Sequence, residues 1–125
     1  MNKEWKNLED LDLYKAASEF RKKILAIAKK LPKEEDYVIS PQMRRTAMAI
    51  TNQIAQGHGR YQITDNLLYL RHSRGSVEEV IDDLTILKDQ NYFSPEYMEE
   101  LKKEGYDLLK KINSYIAYLK KMKPN

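Results

Sequence analysis

Cysteine is absent from the chain. That excludes disulfide bonds and every metal site built on thiolates, and makes a reducing cytoplasm the natural setting. Glycine and proline are scarce, four of each in 125 residues, too few for the turn chemistry of an all-β protein. No long apolar run free of charge occurs, so no transmembrane span is expected. The opening residues, Met1-Asn2-Lys3-Glu4-Trp5-Lys6, lack the apolar stretch of a signal peptide. Charge of one sign does not dominate either: the formal net charge of +3 is mild and does not by itself demand a nucleic-acid partner.

What is present is a chain with 42% hydrophobic and 33% charged residues. That is too apolar for disorder, and its charges are spread as on surface helices. The length suits one domain, residues 1–125, around one core. From Leu108 to Asn125 there are five lysines and no acid, whereas the acids crowd Glu78–Asp83 and Glu96–Asp107. A basic end beside an acidic middle suits subunit contacts or a weak polyanion surface.

Apolar residues recur at helical spacing in four segments. The first carries Leu13, Ala17, Phe20, Ile24, Ile27 and Leu31, a single stripe in alternating steps of four and three. Asp10 or Asp12 is its expected N-cap, and Pro32 its stop. Lys33 to Ile39 reads as a polar connector. Ser40-Pro41 is the expected start of the second segment, with Ser40 as N-cap and Pro41 in the first helical position. Its stripe is Met43, Ala47, Ile50 and Ile54, and Gly57 is its expected end. The third is predicted to begin after a Thr64 cap and run to about Asn91. Its stripe is Leu67, Leu70, Val77, Ile81 and Leu84, with Arg74 between Leu70 and Val77. Ser94-Pro95-Glu96 opens the fourth, whose stripe is Met98, Leu101, Gly105, Leu108, Ile112, Tyr115, Leu119 and Met122. Four such helices with short connectors predict an all-α, antiparallel, up-and-down four-helix bundle.

The second helix carries more than its stripe. From Thr46 to Gln56 it has no charged residue. Met48 and Ala49, and the Arg45, Asn52, Gln56 row, fall away from the core. A helix so poor in charge around its circumference is usually covered on more than one side. These residues are therefore expected to meet another subunit.

The basic residues concentrate in two places. Arg44, Arg45, Arg60, Arg71 and Arg74 lie in the second and third helices and their turn; Lys110, Lys111, Lys120 and Lys121 lie on the fourth. Arginine suits bidentate recognition of phosphate or carboxylate. Arg74 lies on the apolar stripe, four residues before Glu78. It is expected to be partly buried and ion-paired with Glu78, with Glu79 beside it. The remaining eight are candidate phosphate contacts, with Arg45 shared between that reading and the subunit interface. Tyr115 and Tyr118 interleave with the lysines and suit base stacking. The same rings also suit a bundle edge, ring buried and hydroxyl wet, and that reading takes precedence.

Catalytic and metal chemistry find little support. His58 and His72 are the only histidines, and neither stands in the Glu-x-x-His pattern of a di-iron bundle. Gly57-His58-Gly59-Arg60 lacks the length and Lys-Ser/Thr ending of a phosphate loop and reads as a helix C-cap. Gly75 and Gly105 read as points of close helix approach. The acidic run Glu78–Asp83 reads as a solvated or ion-paired face. No enzyme activity, metal or cofactor is expected.

The stretch Gln42-Met43-Arg44-Arg45-Thr46-Ala47, then Ile50-Thr51-Asn52-Gln53-Ile54-Ala55-Gln56-Gly57-His58-Gly59-Arg60, resembles the signature of the four helix bundle protein family. Members of that family include proteins encoded within intervening sequences of bacterial 23S ribosomal RNA genes. Ser73-Arg74-Gly75-Ser76-Val77-Glu78-Glu79 is similar to its Arg-Gly-Ser-x-x-Glu segment. Leu11-Asp12-Leu13-Tyr14-Lys15-Ala16-Ala17 and Leu31-Pro32-Lys33-Glu34-Glu35 match its first helix and connector. The likeness runs to about Tyr92. The chain departs from the family pattern at Gln56, where glutamate is common, and at Thr51, where proline is frequent. The resemblance implies a homopentamer of bundles around a central channel. In one branch, the accessory proteins of diversity-generating retroelements, it implies binding to a reverse transcriptase and to nucleic acid. The expected partners are thus a second copy of the chain, RNA or DNA, and a reverse transcriptase complex, without a membrane. A protein-interaction scaffold with no nucleic-acid role is the alternative.

Overall fold

A computed structural model describes residues 6–122. They form four α-helices: α1 (Asp12–Lys29), α2 (Ile39–His58), α3 (Ile63–Gln90) and α4 (Pro95–Met122). Short 3-10 turns at Leu8–Asp10 and Lys33–Glu35 precede α1 and α2, and no strand occurs among the described residues. None of the described helices is long and apolar enough to cross a membrane.

Contacts along the chain fix the directions of the helices. Ser40 reaches Ala28 and Arg21 reaches Thr51, so α1 and α2 run antiparallel. Gln42 meets Asp83, Thr46 meets Glu79 and Gln53 meets Ser76, which does the same for α2 and α3. Lys88 with Glu99, and Arg74 with Asn113, set α3 against α4. Lys23 with Glu104 closes α4 back onto α1. Each helix thus packs on its neighbours in the chain, and α1 meets α4 to complete an up-and-down bundle.

The predicted stripes are the core. Phe20, Ile24, Met43, Ile50, Leu70, Leu84, Met98 and Ile112 are wholly buried, each contributing about 1.5–3 kcal/mol through the apolar surface it removes from water. Only Tyr115 and Met122, near the end of α4, stay half-exposed. Gly105 permits the closest helix approach, since a Cβ there would stand 2.8 Å from Ile81 Cγ1 and 3.2 Å from Phe20 Cζ.

Several expectations are corrected. Arg74 does not occupy the α3 core step between Leu70 and Val77; Ser73 does, fully buried, its hydroxyl donating to the Ile50 carbonyl at 2.8 Å. A serine there is short enough to be buried at the helix contact with its hydroxyl satisfied on the facing backbone, whereas a buried guanidinium would bring an unpaired charge. Gly75 makes no close approach: a Cβ there would meet nothing within 4 Å. Gly57 lies within α2, which runs one residue further. It is needed for packing, because a Cβ would fall 2.8 Å from Asn66 Oδ1 and 2.9 Å from Tyr69 Cβ.

The helix ends differ in the same way. Ser40 is not a cap, since α2 starts a residue earlier, after Val38. Its buried hydroxyl donates instead to the Ala28 carbonyl, 3.0 Å away in the last turn of α1, which the Leu31 amide also reaches at 3.4 Å. Thr64 falls inside α3, which follows Gln62. Neither Asp10 nor Asp12 caps α1; Leu11 precedes it, and Asp12 is its first residue. Ser94 does cap α4, its Oγ accepting from the Tyr97 amide at 3.2 Å. The left-handed residue that ends α3 is Asn91, at φ 61°.

Candidate functional site

Two surfaces hold the residues singled out from the sequence. The first is the outer side of α2 and α3. Arg44, Arg45, Met48, Asn52 and Gln56 are exposed on α2, and Ala49 is half-buried. Beside them a polar seam joins the two helices. Gln42 Nε2 donates to Asp83 Oδ1 at 3.1 Å, the Thr46 hydroxyl lies 3.4 Å from Glu79 Oε2, and the Ser76 hydroxyl donates to Gln53 Oε1 at 2.7 Å. On the side toward α1, Thr51 is buried and accepts from Arg21 Nη1 at 2.9 Å.

Asp83 corrects the view of Glu78–Asp83 as a solvated run. It is 1% exposed, and its Oδ2 has no hydrogen-bond partner. Burial pushes its carboxyl up to about 6, with the nearby Glu79 and Asp82 adding to the shift and the Gln42 bond opposing it. Its spacing could have revealed it: Asp83 stands seven residues after the buried Ser76 and three after the buried Val80.

The second surface is the C-terminal half of α4. Rings of Tyr115 and Tyr118 stack there, 5.9 Å apart at 18°. They floor a shallow concavity of about 680 Å³, lined also by Asp12, Leu13, Asp107, Lys110, Lys111 and Ser114. Tyr115 is half-buried, and burial raises its hydroxyl, with Tyr118 adding to the rise and a hydrogen bond with Asn66 opposing it. Lys120 and Lys121 are exposed one turn further on.

Ion pairing distinguishes these surfaces from the rest. Among the described residues the pairs are Lys22–Glu19, Lys23–Glu104, Lys88–Glu99, Lys102–Glu99 and Lys103–Asp107. None contains an arginine, so the expected pairing of Arg74 with Glu78 and Glu79 is not made. Arg74 Nη1 instead donates to Asn113 Oδ1 at 2.8 Å, because its position lies on the α4 flank of α3. Arg60 is engaged as well: Nη2 donates to the Tyr69 hydroxyl at 3.1 Å, and the guanidinium stands 5.1 Å from the Tyr69 ring centroid. Arg44, Arg45, Arg71, Lys110, Lys111, Lys120 and Lys121 make no ion pair among the described residues.

The basic residues therefore do not form one patch. Arg44 and Arg45 are on α2, Arg60 and Arg71 on the α2–α3 turn and α3, and the lysines on α4, diagonal to α2 in the packing order. The histidines stand apart too. His58 ends α2 rather than sitting in a turn, is buried, and has Nε2 2.9 Å from the Lys6 carbonyl; His72 lies edge-on to Tyr69. Among the described residues no group of three or more His, Asp or Glu is arranged to hold a metal ion.

Residues 9–114 match the family described as 23S rRNA-intervening sequence protein. The match extends beyond Tyr92 to include Lys110 and Lys111, but not Tyr115, Tyr118, Lys120 or Lys121. One similar solved structure is a protein of unknown function from the S23 ribosomal protein family of Bacteroides thetaiotaomicron VPI-5482. It is 21% identical with a TM-score of 0.77, and the alignment covers 83% of this chain and 97% of that one. At that identity the likeness speaks for the fold. No curated protein matches. With the signature segments, the first three helical stripes, most of the fourth and most of the chain inside the matched span, this chain belongs to the 23S rRNA-intervening sequence protein family.

Proposed function

We propose that the protein is a non-enzymatic, cytoplasmic homo-oligomer that binds nucleic acid, alone or within a nucleoprotein partner such as a reverse transcriptase complex. The single observation behind the binding reading is the change of character along α4. Lys102 and Lys103, in its first half, are neutralised by Glu99 and Asp107. Lys110, Lys111, Lys120 and Lys121, in its second half, have no acid paired to them among the described residues and flank the stacked Tyr115 and Tyr118. Such lysines displace counterions from phosphates, and the exposed tyrosine edges offer stacking without base reading. The family's association with 23S rRNA intervening sequences makes structured RNA the first probe. Self-association, a pentamer by family resemblance, is supported by the absence of charge from Thr46 to Gln56 on α2, where Met48, Asn52 and Gln56 are exposed.

The test is titration of purified protein with structured RNA and with duplex DNA over a salt series. Binding at low salt that weakens steeply as salt rises is the expected result. No binding at low salt, or an affinity indifferent to salt, rejects the reading and leaves the scaffold alternative. That second reading is favoured by Asp12 and Asp107, which stand in the wall of the α4 concavity and repel phosphate. It predicts a protein partner, recovered from the native host, that survives nuclease treatment.

A further inference from the structure

At the end of the bundle where α1 and α3 begin and α2 and α4 finish, a cavity of about 530 Å³ opens among the helix ends. Leu13, Ile63, Leu119 and Met122 give it an apolar lining, and the rings of Tyr61, Tyr115 and Tyr118 stand in its walls. Its polar groups are few. They include the buried Asn66 amide, hydrogen-bonded to Tyr115, and the exposed side chains of Gln62 and Asp12. A cavity of this size, apolar and aromatic with a small number of amide and carboxyl groups, has the build of a small-molecule site.

The fold holds these walls in place. His58 is buried at the end of α2 with Nε2 2.9 Å from the Lys6 carbonyl, which ties the chain leading into α1 to the rim. Tyr61 lies in the left-handed region at φ 58°, a conformation that a side chain of this bulk adopts only at a cost. Asn66, in the first turn of α3, packs against Gly57, where a Cβ would stand 2.8 Å from its Oδ1.

The neighbouring surface points to the occupant. The cavity shares Asp12, Leu13, Tyr115 and Tyr118 with the α4 concavity. The stacked tyrosines therefore stand between an apolar chamber and Lys110 and Lys111, which have no acid paired to them among the described residues. Lys111 precedes Tyr115 by four residues, about 6 Å of helix rise. That is comparable with the step from a base across its ribose to the phosphate. An inorganic phosphate would use the lysines and not the chamber. A fatty chain would leave the amides and the ring faces unused. A nucleotide uses all of them: its base stacks on a tyrosine, its edge meets the amides of Asn66 and Gln62, and Asp12 accepts from a base amino group.

We propose that this cavity receives one unpaired base of a bound RNA, seated against Tyr115 with its edge toward Asn66, while Lys110 and Lys111 hold the backbone phosphates. The proposal rests on the nucleic-acid reading above and narrows it to RNA that offers an unstacked base in a loop, a bulge or an end. The α4 wall of the cavity, Tyr115, Tyr118, Leu119 and Met122, lies beyond the matched residues 9–114, so the family match does not carry this site.

The experiment is fluorescence anisotropy with the full chain and one RNA hairpin in three forms: with a single bulged adenosine, with an abasic residue in its place, and fully paired. Wild type is expected to bind the bulged form roughly tenfold more tightly than the other two. Ile63→Trp fills the cavity from the first residue of α3, and Asn66→Ala removes the amide; circular dichroism confirms that helix content is kept. Each is expected to erase the preference while affinity for the paired form, and its dependence on salt, stay as in wild type. No binding of any form overturns the nucleic-acid reading together with this proposal. Equal binding of all three by wild type, or a preference that survives both substitutions, overturns the base site and leaves the nucleic-acid reading standing. A preference that emerges only when residues 1–5 are deleted assigns the cavity to the chain's own N-terminus and overturns the base site as well.

Discussion

Gln42 donates from α2 to Oδ1 of Asp83 on α3 at 3.1 Å, while the other oxygen of the same carboxylate is buried without a partner. One hydrogen bond therefore offsets only part of the cost of holding this anion out of water.

The pH consequence has a definite sign. The Asp83 carboxyl rises from 3.8 to about 6 on folding, so the folded chain binds the proton more tightly than the unfolded one. The contribution to stability is fully present below pH 3.8 and is lost as pH rises through about 6. The difference across that window is about 3 kcal/mol. Asp83→Asn keeps the acceptor for Gln42 and removes the charge. Urea unfolding should find it about 1–3 kcal/mol more stable than wild type at pH 8, and this contribution should no longer vary with pH. A variant less stable at pH 8 would mean that the carboxylate has a compensating partner.

The two mid-helix glycines should respond in opposite directions. Gly105→Ala drives a Cβ into Ile81 and Phe20 and is expected to cost about 1–3 kcal/mol by overpacking. Gly75→Ala meets open space and should gain up to about 1 kcal/mol of helix propensity. Thermal melts under conditions that keep the protein monomeric separate the two.

Ser40 distinguishes a helix cap from a tie between helices. If it capped α2, aspartate would be a good replacement. Because it donates to the Ala28 carbonyl, Ser40→Ala should cost about 1–2 kcal/mol, and Ser40→Asp more, since a carboxylate there cannot donate and is buried. Equal stability of Ser40→Asp and wild type in denaturant would contradict the tie.

On α4, Lys110→Glu/Lys111→Glu should weaken RNA binding and lower the slope of log affinity against log salt by about 1–2, since each lysine removed leaves one phosphate with its counterion still condensed. Arg44→Glu/Arg45→Glu should act instead through assembly. An unchanged salt slope in the lysine variant would place the RNA-binding surface elsewhere.

Most of the fold is legible because burying a stripe of side chains leaves a period in the sequence: every position of the predicted stripe from Leu13 to Leu31, and of the α2 stripe from Met43 to Ile54, is buried. Misreadings arise where a polar residue is buried for a reason that periodicity cannot show. Ser73, Ser76 and Ser40 spend their hydroxyls on acceptors in neighbouring helices, which only three-dimensional proximity supplies. Asp83 is hidden among exposed acids, and Gly75 is indistinguishable from Gly105 until the neighbouring helix is in place. The surfaces are less legible than the core. Arg44 and Arg45 share the sign of the α4 lysines but not their surface, because antiparallel packing sets α2 diagonal to α4.

The packing order also shapes how the chain reaches its native state. Three of the four helix contacts, α1 on α2, α2 on α3 and α3 on α4, join segments separated by a single connector. Helical hairpins of this kind need little loop closure, so the topology belongs with the rapid folders. The contact of α1 with α4 is different: it links opposite ends of the chain and is less extensive than the other three. It carries the largest entropic burden and is the natural last step of assembly, so the seam where Phe20 meets Gly105 is where the molecule should open first.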